Sequence, residues 1–106
     1  MLTYPVDSQK LDVFRLFLQP AGINPKQCRK VSENNVLVQM VAADMGIAAL
    51  PYWAVSHYQQ QGLVITRPLT ETGMIRKLYG AFRAEDSKDD NLQRFIQLSK
   101  EQFGRL

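Results

Sequence analysis

The sequence predicts an α/β layered fold, a mostly parallel sheet flanked by helices. Three observations carry that reading. Apolar residues recur at helical spacing in several segments, and short apolar runs separate those segments. Ile47, Ala48, Ala49 and Leu50 form a continuous apolar run between Gly46 and Pro51, the pattern of a strand buried on both faces. Leu63, Val64, Ile65 and Thr66 form a β-branched run between Gly62 and Pro68.

In chain order, residues 2–6 read as a short strand that Pro5 closes. Asp7 or Ser8 can cap a helix carrying Leu11, Phe14 and Leu18, which Pro20 and Gly22 end. Residues 27–31 read as a second strand. Ser32, Asn34 and Asn35 offer caps for a helix with the apolar stripe Val36, Leu37, Met40, Val41 and Met45, and Gly46 is the expected left-handed stop. Pro51, after the apolar run, suits the first position of a helix carrying Trp53, Val55 and Tyr58 and closed by Gly62. After the β-branched run, residues 71–76 read as a turn. Residues 77–83 alternate in the manner of a strand. Residues 85–90 form an acidic loop, and Leu92, Phe95, Ile96 and Phe103 mark a last amphipathic helix over residues 91–106. The turn between Pro68 and Arg76 is the one candidate boundary.

The chain has 106 residues, 45% hydrophobic and 22% charged, enough for one small domain and unlike a disordered segment. Thirteen basic against ten acidic residues leave a net charge of +3. Those charges are scattered, so the chain is not expected to bind DNA by itself. A single cysteine, Cys28, excludes an internal disulfide and a cysteine-cluster metal site. No run approaches the about 20 apolar residues of a membrane span, and no signal peptide is visible, so a cytoplasmic protein is expected.

No catalytic constellation is apparent. His57 is the sole histidine, on a helix rich in Gln and Tyr, and nothing in the spacing gives it a nucleophile or an orienting group. No cofactor or metal site is expected, because ligand spacing is lacking and the Gly46 segment has neither the further glycines nor the Lys-Ser/Thr ending of a phosphate loop. Ser32, Glu33, Asn34 and Asn35 follow a strand and open a helix. Ligands of open α/β sheets bind beyond the carboxyl ends of strands, and the free N–H groups of a helix start suit a carboxylate. Glu33 beside them could pair with an ammonium group, so the cluster would suit an amino acid. Ordinary helix capping is the more common reason for the same composition.

Residues 36–51, an apolar helix ending in Gly46, Ile47, Ala48, Ala49, Leu50 and Pro51, look like the helix-into-strand element of LysR-type transcriptional regulators. Leu63, Val64 and Leu69, then residues 77–83 (Lys77, Leu78, Tyr79, Gly80, Ala81, Phe82, Arg83), resemble that family's return strands. Residues 91–106 match its C-terminal helix. Residues 2–6, 11–22, 37–51 and 61–64 are similar to the member that governs methionine biosynthesis.

The resemblance implies a periplasmic-binding-protein-like (type 2) fold of two α/β subdomains around a ligand cleft. Residues 1–70 would be the second subdomain, and residues 71–106 the return strand and C-terminal helix of the first. It further implies a homo-oligomeric, non-enzymatic regulator with homocysteine as effector, in which Ser32, Glu33 and Asn34 line the cleft and DNA is bound only by a domain outside these residues. A solute-binding protein and a small α/β enzyme fragment remain the competing readings. The unpartnered stripe of the last helix is expected to make the isolated chain self-associate or to place that helix irregularly, back on the chain itself.

Overall fold

The computed structural model describes residues 1–103. The chain divides into two compact units, Met1–Met74 and Ile75–Leu106. Gly104, Arg105 and Leu106, the expected end of the last helix, lie outside the described residues.

In the first unit, strand β1 (Leu2–Thr3) pairs in parallel with β2 (Arg29–Lys30), with Leu2 opposite Arg29 and Thr3 opposite Lys30. On its other edge Leu2 forms a parallel bridge with Ala48. The pairing is held by Arg29 N–H to Met1 O (2.9 Å), Val31 N–H to Thr3 O (2.8 Å) and Leu2 N–H to Ile47 O (2.8 Å). With backbone partners on both edges β1 is central, and both of its residues are buried. The expected strand over residues 47–50 is reduced to that single bridge. The segment gains one neighbour, and Pro51 ends any further ladder because it has no N–H to donate.

The first expected helix divides into two tighter and wider pieces. Residues Ser8–Lys10 make a 3₁₀ turn capped by Asp7, whose carboxylate accepts from Gln9 N–H at 3.0 Å. Residues Val13–Leu18 form a π-helix, seen in the five-residue bonds Gln19 N–H to Phe14 O (2.8 Å) and Ile23 N–H to Leu18 O (2.9 Å). The apolar pattern still holds, since Phe14 and Leu18 are buried and Leu11 is half-buried. Apolar spacings of three and four do not distinguish an α from a π turn.

Helix α1 (Asn34–Ala42) buries Leu37 and Val38 completely, and α2 (Tyr52–Gln60) buries Val55 and Ser56. Two members of the expected α1 stripe, Val36 and Met45, are about half exposed, and Val38 takes the inward place. Both helices end in a bond that spans five residues, Met45 N–H to Met40 O and Leu63 N–H to Tyr58 O, each 3.0 Å. The left-handed residue that permits this is Gly62 after α2 (φ 73°) and Asp44 after α1 (φ 60°). Gly46, the expected stop, serves a different purpose. Its φ is 154°, a backbone conformation that residues with a side chain rarely adopt, and a Cβ there would be in contact with Leu2, 3.4 Å from its Cγ. Pro51 is likewise the residue before α2 and not its first turn, with φ −59° and ψ 142°.

Residues 63–66 pair with no described strand. A strand exists only where neighbouring backbone takes its N–H and C=O groups, and no described segment does so here. In the second unit the expected strand over residues 77–83 is unpaired for the same reason, and Ile75, Leu78 and Tyr79 are exposed. A 3₁₀ turn (Ala84–Asp86) precedes α3 (Asp90–Phe103), which Asp89 caps by accepting from Leu92 N–H at 2.8 Å. No residue of α3 is buried, and Phe95 is 67% exposed. No helix among the described residues is long and apolar enough to cross a membrane.

The two turn positions after α1 predict opposite responses. Gly46→Ala should cost about 1–3 kcal/mol, because that backbone region is nearly closed to residues with a Cβ. Asp44→Gly should change stability by less than about 0.5 kcal/mol, as relief of the left-handed strain offsets the extra freedom of the unfolded chain. Thermal melts of the two variants beside the parent check this. Equal losses would contradict the assignment of the left-handed stop to Asp44.

Candidate functional site

Because β1, β2 and the bridge at Ala48 run parallel, their carboxyl ends face the same edge of the sheet. From that edge β2 leads through Val31 into Ser32, Glu33 and α1. Ala48 leads through Leu50 and Pro51 into α2, and β1 ends at Tyr4. Two helix starts and one aromatic hydroxyl are thus gathered where open parallel sheets place ligands.

Ser32 and Glu33 are exposed. Glu33 is the residue before α1, with extended backbone (φ −103°, ψ 126°) and no side-chain bond to the helix. Its carbonyl accepts from Leu37 N–H at 2.9 Å, but its carboxylate caps nothing. Helical geometry turns the first N–H groups of α1 outward along the axis. Asn35 Oδ1 takes the one on Val36 at 2.9 Å, while those of Asn34 and Asn35 have no partner among the described residues.

Asn34 is committed to the scaffold. Its Oδ1 accepts from the Tyr4 hydroxyl at 2.8 Å, and its Nδ2 donates to Ala54 O at 3.2 Å. Both ends of the amide are engaged, so the side chain ties the end of β1 to α1 and α2. Of the three sequence candidates, Ser32 and Glu33 are exposed, while the Asn34 side chain is bonded to Tyr4 and Ala54. Tyr4 and the Ala54 carbonyl were not legible in the sequence, since a tyrosine after a short strand carries no pattern that assigns it a partner 30 residues away.

None of Ser32, Glu33 and Asn34 lines the concavity formed by α1, α2 and residues 64–74 of the first unit. It is a groove of about 510 Å³ lined by Val38, Val41, Leu50, Tyr52, Val55 and Thr66, among others. Its walls are mostly apolar, and Arg67 is its one charged residue. His57 is exposed on α2, with Gln61 Nε2 3.0 Å from its Nε2, and Cys28 is exposed. Among the described residues no group of three or more His, Cys, Asp or Glu converges to hold a metal ion.

The parallel strands, the helix starts gathered at one sheet edge and the chain itself agree on a family. Residues 1–104 match the LysR substrate binding domain, and the chain belongs to that family. It is similar to the HTH-type transcriptional regulator MetR of Escherichia coli K12, 45% identical over 100 residues that make up 94% of this chain and 31% of that protein. MetR of Haemophilus influenzae is 40% identical over 102 residues. The regulatory domain of a MetR from N. meningitidis, a LysR family regulator, superposes with a TM-score of 0.74 at 40% identity, over 94% of this chain and 46% of that one. The chain therefore spans about a third of the length of the curated relatives it matches.

Burial raises the Tyr4 hydroxyl above the ordinary tyrosine value of about 10. A group whose folded pKa is raised keeps its full contribution below the unfolded value and loses it as pH rises through the folded one. Ionised Tyr4 could not donate to Asn34. The parent chain should therefore lose stability above about pH 10 more steeply than Tyr4→Phe. Chemical denaturation at pH 8 and at alkaline pH checks this, and parallel losses in both chains would contradict it.

Proposed function

We propose that this chain forms part of the effector-binding domain of a LysR-type transcriptional regulator that senses homocysteine, or a similar amino acid, to control methionine-biosynthesis genes. The observation that carries the reading is the pairing of Ser32 and Glu33 with outward N–H groups at the carboxyl edge of a parallel sheet. The N–H groups of Asn34 and Asn35 and the Ser32 hydroxyl receive the effector carboxylate, and Glu33 receives its ammonium. The MetR names of the relatives support the choice of ligand.

In this reading residues 1–70 belong to the second subdomain of a periplasmic-binding-protein-like (type 2) domain. Residues 71–106 return to the first, whose remainder lies elsewhere in the regulator. The unpaired segment 77–83 and the exposed face of α3 support that division, since both await partners. DNA is contacted by a separate domain, and the whole acts as a cytoplasmic homo-oligomer without catalytic activity. Effector binding works by favouring one arrangement of the oligomer over another, which requires different affinities for the two. An exposed His57 hydrogen-bonded to a glutamine gives no support to an enzyme.

Three measurements test the reading. In the full-length regulator, Ser32→Ala and Glu33→Ala should weaken homocysteine binding by roughly ten- to hundredfold, the equivalent of about 1.5–3 kcal/mol for one charge-assisted hydrogen bond. Affinity for DNA without effector should stay near the parent's. If the melting temperature falls while calorimetric affinity is unchanged, the cluster is a cap and the site lies elsewhere. The isolated chain should sediment as more than a monomer, and Phe95→Glu should return it to one. A monomeric parent would count against the proposed division. A gel shift of the isolated chain at physiological salt should show only weak, salt-sensitive DNA binding. A nanomolar, sequence-dependent complex would place the DNA contact in these residues.

A further inference from the structure

We propose that Asn34 is a positioning residue. The hydrogen-bond chain from the Tyr4 hydroxyl through the Asn34 amide to the Ala54 carbonyl sets the placement of Ser32 and Glu33, and through them the affinity for the effector. The inference rests on the reading of Ser32 and Glu33 as ligand contacts and assigns to the residues behind them a task that reading does not.

Ser32 and Glu33 form a two-residue bridge between two fixed points. On one side Val31 N–H is bonded to Thr3 O at 2.8 Å, which anchors the end of β2 to the central strand. On the other side Asn34 is held at both ends of its amide, by Tyr4 at 2.8 Å and by Ala54 O at 3.2 Å. Any displacement of Asn34 must be taken up by rotation in Ser32 and Glu33, because the strand before them cannot follow. The next buried anchors of α1 are Leu37 and Val38, almost a full turn further along. Both hydrogen bonds are partly buried, which shields them from exchange with water.

The residue types fit the task. The amide offers an acceptor to the Tyr4 hydroxyl and a donor to a backbone carbonyl from one short, uncharged, planar group. Asn35 cannot replace it, because its Oδ1 is turned onto Val36 N–H of the same helix. Tyr4 reaches across 30 residues of sequence and Ala54 across 20, so the chain of bonds joins the three elements that end or begin at this sheet edge.

The test is calorimetric titration of L-homocysteine into the full-length regulator. Tyr4→Phe removes the hydroxyl donor and keeps the ring. Asn34→Asp keeps the volume and the acceptor for Tyr4 but loses the donor to Ala54. Phe14→Leu, a core change on the π-helix away from the chain of bonds, reports a general loss of stability. We expect Tyr4→Phe to bind homocysteine more weakly by about three- to tenfold, the effect of one neutral hydrogen bond, and Asn34→Asp to bind more weakly still, because its added carboxylate also repels the effector carboxylate. Amides 33–37 should also exchange hydrogen faster in both. Phe14→Leu should lower the melting temperature while its effector affinity matches the parent's. Unchanged affinity in Tyr4→Phe and Asn34→Asp overturns the inference, as does equal weakening in Phe14→Leu. If Ser32→Ala and Glu33→Ala bind as the parent does while Tyr4→Phe binds weakly, the site reading fails and the positioning role through those residues fails with it. A parent that takes up no homocysteine overturns both.

Discussion

The first unit depends on the pairing of Leu2 with backbone on both sides. β1 has two residues, yet Arg29 and Ala48 both flank Leu2, and its side chain is 3% exposed. A two-residue strand with one neighbour would be marginal, because the entropy of aligning it is met by too few bonds. Here the pairing draws in segments from residues 29 and 48 and sets their common direction. Gly46 belongs to the same constraint, since its φ of 154° is one that residues with a side chain rarely adopt and its backbone lies beside Leu2. Everything at the carboxyl edge inherits its position from this alignment: the start of α1, the start of α2 and the tyrosine between them.

Much of this was legible in the sequence, for identifiable reasons. The positions of α1, α2 and α3 follow from apolar periodicity, and the left-handed Gly22 and Gly62 follow from the freedom of glycine at helix ends. The apolar run at Ile47 pointed to the sheet, though only Ala48 is bridged. Asp44 could not be told from an ordinary polar residue, because aspartate tolerates a left-handed turn without advertising it. The strands expected over residues 63–66 and 77–83 have strand-like composition but lack neighbours to pair with. Pairing is a property of the surrounding chain and not of the segment.

The site was half legible. A polar cluster at a helix start is visible as a string of residue types, and the structure separates its members by what they touch. Ser32 and Glu33 face water, and Asn34 is spent inside. Nothing local distinguishes Asn34 from Asn35, because the difference lies in Tyr4 and Ala54, brought close only by the sheet. The groove beside Val38 and Val55 is invisible for the same reason, being a space between elements and not a property of any one of them.

Two helices that begin at the same sheet edge have an electrostatic consequence. Each peptide dipole along α1 and α2 is oriented with its positive end toward that edge, so the two macrodipoles reinforce one another there. Their negative ends, at the turns of Asp44 and Gly62, lie at the far side of the unit. The helices therefore add to that edge a positive contribution that no ionisable side chain supplies and that pH does not titrate. If Glu33 contacts the effector as proposed, a zwitterion orients in such a field with its carboxylate inward and its ammonium toward Glu33. An amine that has lost its carboxylate gains nothing from the helices and meets repulsion instead. Under the proposed reading, discrimination between an amino acid and its decarboxylated counterpart is built into the backbone, before any side chain selects among amino acids.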